Sequence, residues 1–489
     1  MKFKTLRDSK NFQNSFWNII EVLLTPFIFF VSIPIFLAQL GEIEYGIWMF
    51  VNAVIIFLQV MNLGLNFSTY KHVSVSLSTQ DNQQITRTLN TNLSLNFIIF
   101  LASLIICSVL SWGIYQFSWF DDQVITPSTL IICLFLGMGI LFTKLTEQIL
   151  YNVYRAFEDF KYVTFLTVLI KVVLVSGNIF IAYLTHNIIH VFCFTLLISL
   201  VGIIANYLLM KRFLTFFRFK FALKKEWIRF EVKYSSIIWI QSIAVIVAYQ
   251  GDRLLVSYSY GLYVLSFYTI VATLFNHIHM AFSAMLAWLF PQIAKNKVNI
   301  DAILKMYLSA RNISIAISVF LLATFVLLSE PLFTLWLGEE NYLKIREFVK
   351  WFSVFEFFFI FNIIPHFFLN ASDNERFSLK LVGVFTGINV IGIILGFYFG
   401  QSAADVVAGL AISTVFGMYY LHHAISLKFF EKKKINFEIL MLFIPSIFGS
   451  SIVFFDNYWL KITLFLLCSL SIYLIFVKRL RTNFKLMVE

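Results

Sequence analysis

The chain has 489 residues, 60% of them hydrophobic and only 13% charged, with 59 Phe and a formal net charge of +11. Soluble domains run nearer half apolar and a quarter charged, so this composition excludes a soluble fold, whether secreted or nucleic-acid-binding. The apolar excess lies in continuous runs of about 20 residues or more, enough to carry a helix across a bilayer. That continuity excludes a membrane β-barrel, whose segments alternate over about ten residues.

Read in chain order, the apolar runs predict an all-α integral membrane protein with about fourteen transmembrane helices. They lie at approximately 16–40, 45–70, 89–113, 127–153, 161–184, 187–210, 234–258, 264–293, 307–329, 347–370, 378–400, 403–427, 438–455 and 458–477. The basic N-terminus MKFKTLRDSK precedes a run too long for a signal-peptide core, and no A-x-A-like cleavage site follows it. An uncleaved first helix is expected. With the N-terminus in the cytoplasm, thirty of the 37 Lys and Arg residues fall in inside segments and four in outside ones. This positive-inside bias stays in phase to the C-terminal KRLRTNFK, which puts both termini in the cytoplasm. The positive charge is mostly this bias, so no nucleic-acid partner is expected.

The longest outside loop, EPLFTLWLGEENYLKIR, is too short for a soluble domain. The longest inside loop, KRFLTFFRFKFALKKEWIRFEVK, is basic and aromatic and reads as an amphipathic segment on anionic lipid headgroups. It divides the chain into an N-terminal six-helix lobe at 1–210, a basic cytoplasmic linker at 211–233 and a C-terminal six-helix lobe at 234–427; two extra helices and a cytoplasmic tail follow at 428–489. The halves echo each other. LGEIEYGIW and SYSYGLYVLSFY each place a Tyr-Gly pair, Tyr45-Gly46 and Tyr260-Gly261, at an outer turn. Two halves of one orientation imply a repeat axis along the membrane normal, as in transporters whose substrate path runs between repeats.

SFWNIIEVLLTPFIFFVSIPIFLAQLGEIEYGIWMF, followed by MNLGLNFSTYKHVS, resembles the start of the O-antigen flippases, polysaccharide transporters of the Wzx type. The matching features are Pro34, Leu40-Gly41, Tyr45-Gly46-Ile47-Trp48 and Leu63-Gly64-Leu65. Gly251-Asp252-Arg253-Leu254 is similar to an Asp-Arg which that family often carries in its second half. In span count and layout the resemblance covers the whole chain; its specific motifs lie mainly in the first 75 residues. It implies the multidrug/oligosaccharidyl-lipid/polysaccharide exporter fold: two six-helix lobes in a V, alternating access, and two extra C-terminal helices. It also implies a polyprenyl-pyrophosphate-linked oligosaccharide as substrate, an O-antigen or other surface polysaccharide repeat unit crossing the bacterial inner membrane. The partners implied are this lipid-linked oligosaccharide, membrane lipids and other polysaccharide-assembly membrane proteins. No cofactor is called for beyond a coupling H+ or Na+.

Ionisable groups at membrane depth are costly and are functional candidates by default. The span at 45–70 carries Asn52, Gln59, Asn62 and Asn66, which on one continuous helix share an arc of roughly 80°. Such a stripe lines a path or bonds neighbouring helices. The span at 127–153 and its inner end carry Lys144, Glu147, Gln148, Asn152 and Arg155 on one face. Lys144 and Glu147, three residues apart, can pair along the helix or open to a pyrophosphate. Lys171 has no acidic residue within one helical turn, which makes it the first candidate for contacting the pyrophosphate as a point charge. Asp252 and Arg253 point about 100° apart and suit an outer gate. Glu21, Glu356 and Asp252 are coupling-ion candidates, with interhelical pairing as the competing role of Glu356; His277 and His279 read as core histidines. Gly383, Gly387, Gly392, Gly396 and Gly400 form small-xxx-small steps for close helix packing. Cys107, Cys133, Cys193 and Cys468 lack metal-ligand spacing and read as small apolar residues.

No nucleophile–base pair, metal signature or nucleotide-binding glycine loop is present, so a transporter is expected rather than an enzyme. A cation-coupled multidrug exporter of the same superfamily is the alternative.

Overall fold

The computed structural model describes residues 10–62, 64–117, 119, 127–157, 160–286, 293, 300–372, 374–429 and 435–477. Among them every regular element is helical and no strand occurs. Eleven helices are long and apolar enough to cross a membrane, and Leu440–Phe454 is a shorter apolar helix. Helices are the natural outcome: in hydrocarbon the backbone must satisfy its own hydrogen bonds within each segment. The chain forms two compact units, Met1–Ser266 and Phe267–Glu489.

The first unit contains α1 (Lys10–Leu58), α2 (Leu65–Ser78), α3 (Asn82–Phe117), α4 (Pro127–Ala156), α5 (Phe160–Thr185), α6 (Ile188–Phe213) and most of α7 (Lys225–Leu286). α4 is central and packs on α1, α2, α3 and α6. One core cluster joins Val73, Leu89, Ile149, Tyr154 and Met210 to Leu214 and Phe217, the latter two from the segment after α6. The predicted inside loop is therefore bolted into this core at Leu214 and Phe217, and it becomes helical again at Lys225.

Two glycines divide the long helices. Gly41 (φ 79°, ψ 171°) interrupts α1 and Gly261 (φ 82°, ψ 172°) interrupts α7. Side-chain-bearing residues scarcely reach this backbone region. The two breaks share one conformation, so the echo in the sequence is real but shifted: Gly41, not Gly46, matches Gly261. Gly46 lies one turn into the next helical stretch, where a Cβ would overlap the backbone carbonyl of Leu262. The backbone remains helical through Pro26 and Pro34, leaving Gly41 as the point where α1 is broken.

The predicted continuous span at 45–70 is corrected. Its helix ends at Leu58, Gln59–Asn62 form a 3-10 turn, and Gly64 at φ 72° starts α2. The freed carbonyl of Val60 accepts the indole N–H of Trp239 from α7. The four polar residues of the expected stripe thus do not share one helical face.

The second unit holds the end of α7 and then α8 (Ile300–Leu327), α9 (Ser329–Leu337), α10 (Glu339–Phe359), α11 (Ile363–Ala371), α12 (Glu375–Phe399), α13 (Ala403–Phe429), α14 (Ile435–Ser451) and α15 (Tyr458–Ile472). The predicted outside loop is another correction. It folds into α9 and the start of α10, with a bend at Gly338 (φ 85°). Ion pairs Arg346–Asp456 and Lys461–Glu330 tie it to the α14–α15 connection and α15.

α12 and α13 pack at backbone distance. A Cβ on Gly392 would overlap the carbonyl of Gly409, one on Gly409 would overlap that of Gly392, and one on Gly396 that of Asp405. Small-residue packing accounts for Gly392, Gly396 and Gly400. It does not account for Gly383 and Gly387, which have nothing within 4 Å of a Cβ.

Candidate functional site

A polar interior runs through the first unit where α2, α3, α4 and α7 meet. Its anchor is Glu231, 1% exposed. One carboxylate oxygen accepts from Ser68 Oγ and lies 2.9 Å from His72 Nδ1; the other accepts from Thr88 Oγ1 at 2.9 Å. A buried carboxylate is tolerated when hydrogen bonds replace its hydration, and this one has donors from two other helices. The His72 ring packs against Phe230 at a tilt of 30°, with centroids 4.4 Å apart.

A ladder of side-chain bonds continues from this cluster. Asn92 Nδ2 donates to Thr69 Oγ1 at 2.8 Å, Asn96 Nδ2 to Thr146 Oγ1 at 2.8 Å, and Asn66 Nδ2 to Gln148 Oε1. Asn66, Asn92 and Asn96 each keep a buried carbonyl oxygen that accepts no hydrogen bond.

The second unit has a counterpart. His279 Nδ1 lies 3.0 Å from Glu356 Oε1, and Glu356 is 1% exposed. The His279 ring packs against Phe359 at the same 30° tilt and 4.4 Å centroid separation. Glu356 is therefore paired with His279 between helices.

The other expected site residues divide as follows. Asn66 and Gln148 meet across α2 and α4. Asn52 bonds back to the carbonyl of Trp48 at 2.8 Å, while Gln59 and Asn62 sit in the 3-10 turn. Lys144 and Glu147 attract each other along α4, but no ammonium–carboxylate contact within 4 Å joins them among the described residues. The Glu147 carboxylate turns instead toward α6, where it fills the space a Cβ on Gly202 would need, and its Oε1 is buried without a hydrogen bond. Lys171 is half-buried on α5. Asp252, 5% exposed, accepts the backbone N–H of Arg253 at 2.8 Å. The Glu21 side chain lies outside the described residues. Among the described residues no cluster of three metal-ligating side chains occurs.

Glu231 is the residue that sequence reading missed. It falls in the basic linker 211–233, which the sequence reads as an amphipathic segment on lipid headgroups. The available signal was helical spacing: Glu231 follows Trp227 by four residues and so shares its face.

The profile of a family described as polysaccharide biosynthesis protein matches residues 12–297. No curated protein sequence matches the chain. Among solved structures, a lipid II flippase, MurJ, in an inward closed conformation is similar with TM-score 0.65 and 15% identity, covering 96% of this chain and 99% of its own. An inward-facing multidrug resistance MATE family transporter of the MOP superfamily is similar with TM-score 0.66 and 13% identity, covering 84% of this chain and 98% of its own. A MOP superfamily transporter from Pyrococcus furiosus has TM-score 0.55 at 14% identity, with 87% and 97% coverage. At these identities the likeness establishes a shared fold.

Proposed function

Since the chain belongs to the polysaccharide biosynthesis protein family, we propose that it is a flippase that carries a polyprenyl-pyrophosphate-linked oligosaccharide across the bacterial inner membrane by alternating access. The observation that carries this reading is coverage. The lipid II flippase accounts for 96% of the chain, whereas the MATE transporter accounts for 84%. On this reading the cargo is an O-antigen or other surface polysaccharide repeat unit. No covalent chemistry is required. The sugar crosses through a polar interior while its polyprenyl tail stays in lipid.

The same reading takes fourteen spans with both termini cytoplasmic. Two of the eleven long apolar helices are each broken at a glycine, and Leu440–Phe454 is a further short one, which supports that count. Lobes at 1–210 and 234–427, joined by the linker 211–233 and followed by 428–489, remain part of the proposal. Lys171, Lys144, Glu147, Asn52, Gln59, Asn62, Asn66 and Arg253 are assigned to the substrate path, and Glu21, Glu356 and Asp252 to ion coupling. The buried acceptors of Asn66, Asn92 and Asn96 favour a hydroxyl-rich cargo, because each gains a hydrogen bond when a donor reaches it.

The test is a clean deletion complemented from a plasmid. Loss of surface polysaccharide, with the polyprenyl-linked intermediate trapped on the cytoplasmic leaflet, is the expected result. Normal polysaccharide with lost efflux of lipophilic cationic dyes would instead place the protein with the multidrug exporters. The TM-score of 0.66 to a MATE transporter keeps that second reading in play.

A further inference from the structure

We propose that the segment between α6 and α7 and the start of α3 form a docking pocket for the phosphate-bearing headgroup of a membrane lipid. They enclose a cavity of about 650 Å³, within the range of small-ligand sites. Arg87, Lys220 and Lys224 line it, and no carboxylate does. Among the described residues none of the three cations forms an ion pair.

Two of the nearby acids are engaged elsewhere, and Glu226, in the first turn of α7, is exposed and does not line the cavity. Asp81 accepts the N–H of Gln84 at 2.9 Å and caps α3, and Glu231 is held by His72, Ser68 and Thr88. Two of the cations share one aromatic ring: the Arg87 guanidinium lies 4.9 Å and the Lys224 ammonium 4.8 Å from the Trp227 ring centroid. Arg87 Nε is buried with no hydrogen-bond partner. Three like charges gathered without a protein counterion are stabilised by an external anion. The N-termini of α3 and α7 both open on the cavity, and their dipoles add positive potential.

The segment is held in place rather than trailing. Leu214 and Phe217 are fully buried, the N–H of Lys220 donates to Asn90 Oδ1 at 3.0 Å, and that of Ala222 donates to Ser94 Oγ at 2.9 Å. The remaining wall is aromatic. Phe216 and Phe221 line the cavity yet stay 40% and 58% exposed, as expected of rings that sit in lipid. An apolar mouth joined to a cationic, acid-free interior fits an amphiphile with a phosphoryl or pyrophosphoryl head. The basic-residue distribution assigns this face to the cytoplasm. Both a polyprenyl pyrophosphate and an anionic phospholipid carry this chemistry.

The test is lipid binding by the full-length purified protein in detergent, read by native mass spectrometry and therefore independent of transport. The probes are farnesyl pyrophosphate, dioleoyl phosphatidylglycerol, zwitterionic dioleoyl phosphatidylcholine and inorganic pyrophosphate. One lipid with a net anionic phosphate headgroup is expected to remain bound per chain, over phosphatidylcholine, whose phosphate is neutralised by its choline. K220Q/K224Q is expected to weaken it at least about tenfold, and K220R/K224R to retain it. Both lysines are exposed, so the variant fold is checked by an unchanged melting point; R87Q should lose binding as well. Preference for farnesyl pyrophosphate identifies the polyprenyl source, and equal retention of phosphatidylglycerol identifies bulk anionic lipid; either sustains the pocket. Equal affinity of wild type and K220Q/K224Q, or equal binding of inorganic pyrophosphate without a tail, overturns it.

Discussion

His72 Nδ1 and Glu231 Oε2 lie 2.9 Å apart although 159 residues separate them in the chain. The contact joins α2 to α7, and Thr88 brings α3 to the same carboxylate. Removing the carboxylate takes away the partner that three buried groups share. Glu231→Ala should therefore cost roughly 3 kcal/mol, the scale for leaving buried hydrogen-bonding groups unsatisfied. Glu231→Gln, which keeps an acceptor, should cost less. Thermal unfolding midpoints in detergent measure both, and equal midpoints for Glu231→Ala and wild type would contradict the network.

Gly46 and Gly251 provide a matched comparison. A Cβ on Gly46 meets the backbone of Leu262, whereas one on Gly251 has nothing within 4 Å. Gly46→Ala should destabilise by about 1–3 kcal/mol through overpacking. Gly251→Ala should be neutral, or stabilise by up to about 1 kcal/mol through helix propensity. The same unfolding assay ranks them, and the reverse order would refute the close approach.

The α12–α13 seam makes a similar contrast. Gly409→Val should separate the helices and lower the amount of folded protein in the membrane, because its neighbour is the Gly392 carbonyl rather than a side chain that could move. Gly387→Ala should leave that amount unchanged. Detergent-solubilised monodisperse yield is the readout.

Lys171→Ala should reduce surface polysaccharide while the protein remains at its normal level in the membrane. The expectation rests on the depth of a half-buried cation on α5. Unchanged polysaccharide would remove Lys171 from the substrate path.

Glu147 bears on the same path from a different side. Its Oε1 has no hydrogen bond to lose, so Glu147→Gln should leave the unfolding free energy within about 0.5 kcal/mol of wild type. A fall in polysaccharide without a fall in stability would mark it as functional. A large loss of stability would show instead that the carboxylate is structural.

The membrane class and the helical architecture were legible in the sequence because hydropathy and composition are sums over local residues, which need no knowledge of neighbours; the family was legible only through the resemblance carried by short motifs such as Tyr45-Gly46-Ile47-Trp48. Glycine placement was half legible. The sequence marks where a break is possible, but only the backbone tells Gly41, at φ 79°, from Gly46, which is helical and tightly packed. What packs against what was decided by tertiary structure alone. A uniform 100° per residue put Asn52, Gln59, Asn62 and Asn66 on one face, and the 3-10 turn and Gly64 broke that register. Spacing allowed Lys144 to meet Glu147, and Gly202 on α6 offered the carboxylate another place to turn. The basic, aromatic segment around Glu231 reads as lying on lipid headgroups, and its burial follows from donors on α2 and α3 that are remote in sequence. A hydrogen-bond partner is a long-range choice among competing geometries, and only the folded chain makes it.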